Sequence, residues 1–174
     1  MSPERALPSF RLHPDPVATG AIEPDADAVC ECCGEQTGWN YTAPVYGPHS
    51  GPEFLCPWCI ASGRAARELE VSFAAYTVTN EPIPPKSLDE ISHRTPCFMS
   101  WQDPMWMTHC GDAAAFLGEV GWDTLQSLPD AQESLIDFGL PAEELPHLVV
   151  DGSTAAFLFR CLTCGTHVAY YDMS

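Results

Sequence analysis

Three Cys-x-x-Cys pairs constrain the fold of this sequence more strongly than any other feature. The pairs are Cys30/Cys33, Cys56/Cys59 and Cys161/Cys164. This short spacing places two sulfur atoms side by side, and two such pairs together form the tetrahedral ligand set of a structural zinc site. A glycine directly follows the first and third pairs, and glycine tolerates the positive φ that such a turn requires. The pairs therefore indicate how the chain is held together, but they do not identify its function.

The first two pairs predict a closed metal site made of Cys30, Cys33, Cys56 and Cys59. The segment between Cys33 and Cys56 is long enough for a β-hairpin. Four sulfur ligands fill the coordination shell of zinc, so no position is left for a substrate. Cys32 could replace Cys30 as a ligand, but the glycine after Cys33 favours the register with Cys30. The alternative without metal is a group of buried free thiols.

The third pair, Cys161/Cys164, lacks an obvious partner pair. The candidate ligands are His109 and Cys110, far earlier in the sequence. Adjacent residues on regular secondary structure point apart, so both could bind one ion only on an irregular backbone. Asp112 or a water could complete the shell instead. A site with three protein ligands and water is open to substrate, which gives an alternative function as a metal-dependent enzyme with Asp112 as the acid/base.

The sequence Cys56-Pro57-Trp58-Cys59 also has a redox interpretation. A Cys-x-x-Cys between a strand and a helix is the thioredoxin-type arrangement, in which the helix dipole lowers the pKa of the first thiol. The upstream pair Cys30/Cys33 disfavours this interpretation, as does a proline-rich connector where such a fold needs a βαβ repeat. A thiol–disulfide protein is therefore the second alternative.

The net charge of −17, from 24 acidic and 7 basic residues, limits the class of partner. Nucleic-acid binding relies on Lys and Arg that neutralise phosphates, and seven basic residues scattered along the chain cannot form such a surface. A basic protein partner fits the charge better, because opposite fields speed the encounter. The simpler interpretation is that the charge only keeps the protein soluble.

The cysteine content and the start of the sequence predict a cytoplasmic protein. Nine cysteines is an odd number, and no apolar segment of a signal peptide follows the first residues. Reduced thiols favour metal binding over disulfides. No apolar run approaches the roughly 20 residues that span a bilayer, so we expect no membrane segment.

We expect an α+β fold with four parts. They are an extended N-terminal arm (1–27), a treble-clef or zinc-ribbon-like module (28–76), a proline-rich connector (77–96) and an α+β lobe (97–174). The lobe is expected to have a helical middle, to pack on the module and to be closed by a C-terminal zinc-knuckle β-hairpin. In the module, the pattern predicts strands at Gly38–Thr42 and Glu53–Leu55, and a helix from Pro57 towards Phe73.

The pattern in the remaining sequence is also mixed. Ser87–His93 is expected to be a helix in the connector. The lobe is predicted to contain a strand at Cys97–Trp101, a helix at Ala113–Val120, a helix with Asp130 as N-cap that stops at Gly139, a helical turn at Pro141–Leu145, and a β-hairpin at 153–172. Trp101 and Trp106 are expected in the core.

Several motifs closely resemble those of the CbrC family of bacterial proteins, whose biochemistry is uncharacterised. In order they are Phe10-x-x-His13-Pro14-Asp15-Pro16, Cys30-x-Cys32-Cys33-Gly34, Leu55-Cys56-Pro57-Trp58-Cys59-Ile60-Ala61, Arg94-Thr95-Pro96, Trp101-Gln102, His109-Cys110-Gly111-Asp112 and Phe159-Arg160-Cys161-Leu162-x-Cys164-Gly165. The resemblance covers nearly the whole chain, from about residue 8 to 172. It implies no catalytic residues.

This chain departs from the CbrC family pattern at one position. Relatives commonly have a second cysteine four positions after Cys110, where this chain has Ala114. On a helix such a pair would face one ion together with Cys161 and Cys164. The sequence therefore predicts one zinc ion, with a second site left open to His109 or Asp112.

The family name links these proteins to tolerance of colicins, which are bacterial protein toxins. The leading functional hypothesis is therefore a non-enzymatic, zinc-stabilised interaction protein in the cytoplasm, with a basic toxin domain as the expected partner in immunity or tolerance.

Overall fold

The computed structural model describes residues 5–48, 50–74 and 81–174, and its short helices and small antiparallel sheets confirm the α+β class. The predicted arm, module and connector include residues 1–4, 49 and 75–80, which lie outside the described residues. The helices are α1 (Pro57–Ala61), α2 (Arg64–Leu69), α3 (Pro85–Arg94), α4 (Trp122–Leu125), α5 (Pro129–Asp137) and a 3-10 helix (Ala142–His147). The strands are β1 (Ile22–Pro24), β2 (Trp39–Tyr41), β3 (Thr108–His109), β4 (Asp112–Ala113), β5 (Ala115–Val120), β6 (Thr154–Arg160) and β7 (His167–Met173). Among the described residues, no helix is long and apolar enough to cross a bilayer.

Strand β2 takes a different partner from the one that the sequence predicts. It pairs with β1 from the arm, with Ile22 opposite Tyr41. The predicted partner Glu53–Leu55 is irregular, although the N–H of Tyr41 donates to the carbonyl of Leu55 at 2.9 Å. The side-chain oxygen of Asn40 accepts the N–H of Leu55 at 2.9 Å, so a side chain replaces a backbone bond of the expected ladder. The predicted hairpin is therefore wrong, and the arm completes the sheet.

The helix predicted from Pro57 to Phe73 is interrupted and shorter. Gly63 adopts a φ of +71° between α1 and α2, a conformation in which a side chain is strained. Glu70, with a φ of 53°, ends α2, so Phe73 lies beyond the helix. Phe73 is fully buried, with its ring edge-to-face on Tyr41 at 5.3 Å. The helical spacing of apolar residues therefore came from two helices and one buried loop residue.

The sheet β5–β6–β7 is buried on both faces, which explains the largest error of the sequence prediction. Phe157 and Phe159 pack in an aromatic cluster, whereas Ala156 and Leu158 pack in a separate aliphatic cluster. Strands covered on both faces show continuous apolar runs, which periodicity cannot distinguish from a buried helix. The segment Ala113–Val120, predicted as a helix, is instead the end of β4 and the whole of β5.

Three other predicted elements are present. The helix expected at Ser87–His93 is α3, and the helical turn expected at Pro141–Leu145 is the 3-10 helix. The hairpin expected at 153–172 is formed by β6 and β7, which pair from Thr154 opposite Met173 to Arg160 opposite His167. These elements have local turn or capping signals, which a sequence shows directly.

The segment Cys97–Trp101 is not the predicted strand. It runs as irregular chain, and Phe98 stacks on Phe116 with ring centroids 3.9 Å apart. Trp106 is buried as predicted, but Trp101 is 60% exposed. The expectation that both tryptophans anchor the core is therefore wrong for Trp101.

Asp130 is not the N-cap of its helix. Pro129 occupies the first position of α5, which places Asp130 in the first turn. The Oδ2 of Asp130 accepts the backbone N–H of His167 at 2.8 Å. Its carboxylate therefore ties α5 to the edge of β7 instead of capping the helix, which still ends just before Gly139.

The arm bridges the two halves of the molecule through buried residues. Phe10 packs in the cluster around α1 and α2, whereas Leu12 packs in the aromatic cluster of the C-terminal sheet. His13 is fully buried, with Nδ1 2.8 Å from the carbonyl of Pro96 and Nε2 2.7 Å from Oγ1 of Thr19. Burial lowers the pKa of His13 to about 4, so the ring is neutral at pH 7.

Candidate metal centres

The structure brings Cys30, Cys33, Cys56 and Cys59 together as one group. Their four sulfur atoms all lie within 4.8 Å of one another, and Sγ of Cys33 is 3.8 Å from Sγ of Cys56. Sulfur ligands about 2.3 Å from a tetrahedral zinc ion lie about 3.8 Å apart. The donor set and its spacing therefore fit zinc, and three of the four side chains are buried.

Local backbone geometry positions each half of this group. The N–H of Gly34, with a φ of +75°, donates to the carbonyl of Cys30 at 2.7 Å and closes the first turn. The second pair begins at the N-cap of α1, where Pro57 is the first helical residue. The N–H of Cys56 donates to Sγ of Cys30 at 3.3 Å, so the two halves also contact each other directly.

The thiols of this group differ in acidity. Burial acts to raise the pKa of Cys30, but N–H groups of Cys56, Cys33 and Cys32 outweigh it and lower the pKa overall. Burial raises the pKa of Cys56 to about 12, and burial also raises the pKa of Cys59. A thioredoxin-type thiol needs a lowered pKa and access to its substrate, whereas Cys56 is buried. This setting disfavours the redox alternative at Cys56/Cys59.

The two remaining cysteines of the chain belong to neither group of donors. Sγ of Cys32 lies 4.0 Å from Oε2 of Glu68 and also interacts with Cys59, but the four mutually close donors include Cys30 and not Cys32. Cys97 is buried, its Sγ donates to the carbonyl of Phe98 at 3.7 Å, and burial raises its pKa to about 12. Cys97 is therefore an ordinary core residue.

A second group joins His109, Cys110, Cys161 and Cys164, whose donor atoms also lie within 4.8 Å of one another. Nδ1 of His109 is 3.3 Å from Sγ of both Cys110 and Cys164, and these two sulfur atoms are 3.6 Å apart. Tetrahedral zinc with Zn–N of about 2.0 Å and Zn–S of about 2.3 Å places nitrogen and sulfur about 3.5 Å apart. This donor set also fits zinc, but Cys110 and Cys164 are exposed.

An unusual turn lets the adjacent residues His109 and Cys110 face the same point. Strands β3 and β4 form a hairpin in which Cys110 and Gly111 are the two turn residues, with φ of 54° and 73°. Positive φ at both central residues is the pattern of a type I′ hairpin turn. This is the irregular backbone that two adjacent ligands of one ion require.

The opposite half of this group repeats the geometry of the first. The N–H of Gly165 donates to the carbonyl of Cys161 at 3.0 Å, as Gly34 does to Cys30. N–H groups of Cys164 and Thr163 outweigh the effect of burial and lower the pKa of Cys161 to about 7. The thiolate is therefore formed more readily at this position than in an ordinary cysteine, which suits metal binding.

Asp112 and Ala114 do not join the second group. Oδ2 of Asp112 lies 3.5 Å from Nη1 of Arg11, and its Oδ1 accepts the N–H of Ala113 at 2.7 Å. Ala114 is fully buried in the aromatic cluster, and the chain here is strand rather than helix. The expectation of helical spacing between positions 110 and 114 is wrong, and His109 provides the fourth donor.

Basic residues are rare in the C-terminal half of the chain. Six of the seven precede residue 95, and residues 95–174 contain eleven acidic residues but only Arg160 as a basic one. Several of the early arginines are paired, as in Arg11 with Glu90 (2.8 Å) and Arg94 with Asp89 (2.9 Å). The C-terminal half therefore carries an excess of negative charge that a position-by-position count of the sequence could have revealed.

Comparisons with known proteins place the chain among relatives. The profile of an uncharacterised protein family, UPF0167, matches residues 7–173. The chain belongs to this family. UPF0167 proteins of Mycobacterium bovis and Mycobacterium tuberculosis are each 40% identical to it, over 99% of this chain and 97% of theirs. One from Pseudomonas aeruginosa is 39% identical over 96% of both chains, and no solved structure matches.

Membership of UPF0167 does not supply an activity, so the chemistry must be judged from the donors. The cavities of about 990 and 540 Å³ are lined by none of the eight donor residues. The candidate metal centres of this UPF0167 protein thus lie apart from both cavities.

Proposed function

We propose that this UPF0167 protein is a zinc-stabilised interaction protein rather than an enzyme. The observation that carries the proposal is that each candidate metal centre has four protein donors within 4.8 Å of one another. Four protein ligands leave zinc no open coordination position, which is the mark of a structural site.

Zinc would be held by Cys30, Cys33, Cys56 and Cys59 in one centre and by His109, Cys110, Cys161 and Cys164 in the other. The metal supplies cross-links between distant segments. The first centre joins the turn after Ala28 to the start of α1, which is the treble-clef arrangement that we propose for this half. The second joins the β3–β4 hairpin to the β6–β7 hairpin.

The proposed partner is a basic protein surface. Residues 95–174 carry eleven acidic residues and one basic residue, so this half attracts positive charge. The resemblance to the CbrC family supports a more specific partner, a basic domain of a protein toxin, in tolerance or immunity. Such a role requires binding alone, and a rigid zinc-linked scaffold suits it.

Metal analysis and affinity capture test this proposal. We expect two zinc ions per purified chain by mass spectrometry. The immobilised protein should retain a basic partner from bacterial lysate at low salt and release it at high salt. The pair Asp137→Lys/Glu143→Lys should weaken retention, whereas Glu23→Lys/Asp27→Lys, with the same change of charge, should not. Chains without stoichiometric metal, or equal retention by both pairs, would contradict the proposal.

The exposure of the second centre favours one other function, a metal-dependent enzyme. Cys110 and Cys164 are exposed, so a substrate could reach a metal there if one donor moved aside. Asp112, the acid/base of this alternative, lies opposite His109 in the β3–β4 hairpin and pairs with Arg11 at 3.5 Å. Cobalt substitution separates the functions: a tetrahedral spectrum that small thiol or hydroxamate ligands do not alter indicates a closed structural site.

A further inference from the structure

A groove lies at the end of the C-terminal sheet, next to the last residues of β7. It has a volume of about 540 Å³ and is called the terminal groove here. Its lining includes Leu140, Glu144, Val149, Thr154, Tyr171 and Met173. Val149 and Met173 are 61% and 55% exposed, so apolar side chains stand open at its rim.

The rim of the terminal groove is held in place by its own bonds. The N–H of Asp151 donates to Oε1 of Glu119 at 2.8 Å, and the N–H of Gly152 donates to the carbonyl of Val149 at 3.1 Å. A side chain at Gly152 would meet the carbonyl of Val149 at 2.9 Å, so the turn is tight. The groove is therefore formed before any partner arrives.

Strand β7 is an edge strand, and side chains of α5 cover only its first part. Asp130 accepts the N–H of His167, and the hydroxyl of Ser134 bonds both the N–H (2.8 Å) and the carbonyl (2.9 Å) of Ala169. These bonds show that the backbone groups of His167 and Ala169 point away from β6. Since backbone direction alternates along a strand, those of Tyr171 and Met173 point the same way.

The side-chain hydrogen bonds from α5 to the strand edge stop at Ala169, and beyond it Phe138 packs edge-to-face on the ring of Tyr171 at 5.9 Å. Helix α5 ends at Asp137, and Tyr171 and Met173 border the terminal groove. The next residue, Ser174, turns inward and donates to the carbonyl of Ser153 at 3.1 Å, as the alternation requires. Exposed backbone groups at a sheet edge can accept an added strand.

The charge near the edge of β7 indicates which kind of partner segment could bind there. Glu144 and His147, both titratable, line the groove, and Glu143 is the exposed neighbour of Glu144 on the 3-10 helix. Arg160, the one basic residue of the C-terminal half, lies at the opposite end of β6, because the hairpin pairs Arg160 with His167 and Thr154 with Met173. The edge therefore combines open backbone groups, apolar side chains and negative charge.

We propose that the terminal groove binds an extended basic segment of a partner protein, which adds a strand to the edge of β7 at Tyr171 and Met173. This inference rests on the proposed interaction function and assigns it a surface. Apolar side chains of the segment contact Val149 and Met173, and its basic side chains face Glu144.

The probe is a fluorescent twelve-residue peptide of alternating Arg and Val, titrated with the full-length zinc-loaded protein and followed by anisotropy. We expect saturable binding that weakens with salt. The same peptide N-methylated at every second residue cannot donate backbone bonds from one edge, and we expect it to bind at least about tenfold more weakly. Absence of binding, or equal binding of the methylated peptide, would overturn the proposed strand addition.

Matched variants locate the binding surface. Met173→Lys places a positive charge on the edge and should weaken binding about tenfold, whereas Leu117→Lys, on the same sheet in β5, should not. Glu144→Gln should weaken binding about threefold, and Glu143→Gln, on the same helix but outside the lining, should have a smaller effect. Zinc content and the melting temperature of each variant establish that it is folded.

The outcomes also distinguish this surface from the general proposal. If the peptide binds all four variants equally, the acidic half attracts basic segments but the terminal groove is not their site. If the lysate partner is captured by the wild type and by Met173→Lys alike, the interaction function holds and the groove assignment fails.

Discussion

The two candidate metal centres contain similar donors but lie in different surroundings. Three of the four cysteines in the first are buried, and they pack with Phe10, Ile60 and Phe73 in one hydrophobic cluster. In the second, Cys110 and Cys164 are exposed, and the donors come from two hairpin turns at the surface. We infer that the first centre is part of the core, whereas the second links elements that already have a packed sheet beneath them.

The largest expected effect comes from Cys59→Ser, which removes a buried donor of the first centre. Loss of the metal leaves the other thiols without a cross-link inside the core, and we expect a loss of more than about 4 kcal/mol in the free energy of unfolding. Urea denaturation and zinc content measure it. Cys97→Ala, at a buried cysteine outside both groups, should retain both metals and lose only about 1 kcal/mol. A stable Cys59→Ser protein would remove the distinction between the centres.

Cys164→Ser should have a smaller effect, because β5, β6 and β7 stay packed without the second metal. We expect loss of one zinc ion, a folded protein and a loss of roughly 2 kcal/mol. A chelator with a colorimetric zinc indicator checks the same contrast in the wild type, where one equivalent should be released quickly and the other only on unfolding. Release of both equivalents in a single phase would show that exposure does not control access.

The loss of stability at acid pH also tests the comparison between the metal centres and the rest of the core, because His13 is buried and contacts no metal donor. Its pKa falls from about 6.5 in the unfolded chain to about 4 in the folded protein. The unfolded state therefore binds the proton first, so stability is complete above pH 6.5 and decreases as the pH falls towards 4. From this residue we expect a loss of about 2 kcal/mol at pH 5.

Urea denaturation at pH 7 and pH 5 measures this loss, with zinc content measured on the same samples. His13→Gln should be less stable at pH 7 but should show a weaker dependence on pH. If both proteins lose the same stability between the two pH values, the acid sensitivity belongs to the metal centres instead.

The smallest effect is expected for Cys32→Ser, a control for the first centre. Cys32 is only partly buried and lies beside Glu68 rather than within the donor group. We expect two zinc ions and a change in unfolding free energy within about 0.5 kcal/mol. Loss of a metal ion in this variant would show that Cys32, rather than Cys30, is a zinc ligand.

The sequence predicts local features of this protein better than it predicts partners in space. The Cys-x-x-Cys turns, α3 and the β6–β7 hairpin depend on neighbouring residues, and these are present. The choice of β1 as the partner of β2 depends on a segment outside the predicted module, so no local signal reveals it. The run Ala113–Val120 predicts a helix but forms strand, because both faces of its sheet are buried and its apolar residues show no alternation.

The second metal centre also shows that the sequence does not reveal which side chains meet in space. The sequence offers His109 as a candidate donor, but adjacent residues on regular secondary structure point apart. His109 and Cys110 face the same point because Cys110 and Gly111 both have positive φ. The residues that precede Gly111 do not indicate this conformation. Cysteine rarely adopts this conformation, so the structure was needed to show that this turn can hold a metal ion.

The contacts of the arm have a consequence for how the chain is made. Phe10, Leu12 and His13 leave the ribosome early, yet the N–H that binds the carbonyl of Leu12 belongs to Phe116, and the carbonyl beside His13 belongs to Pro96. This segment must therefore wait until the chain as far as Phe116 has been synthesised. During that delay its apolar side chains are open to chaperones.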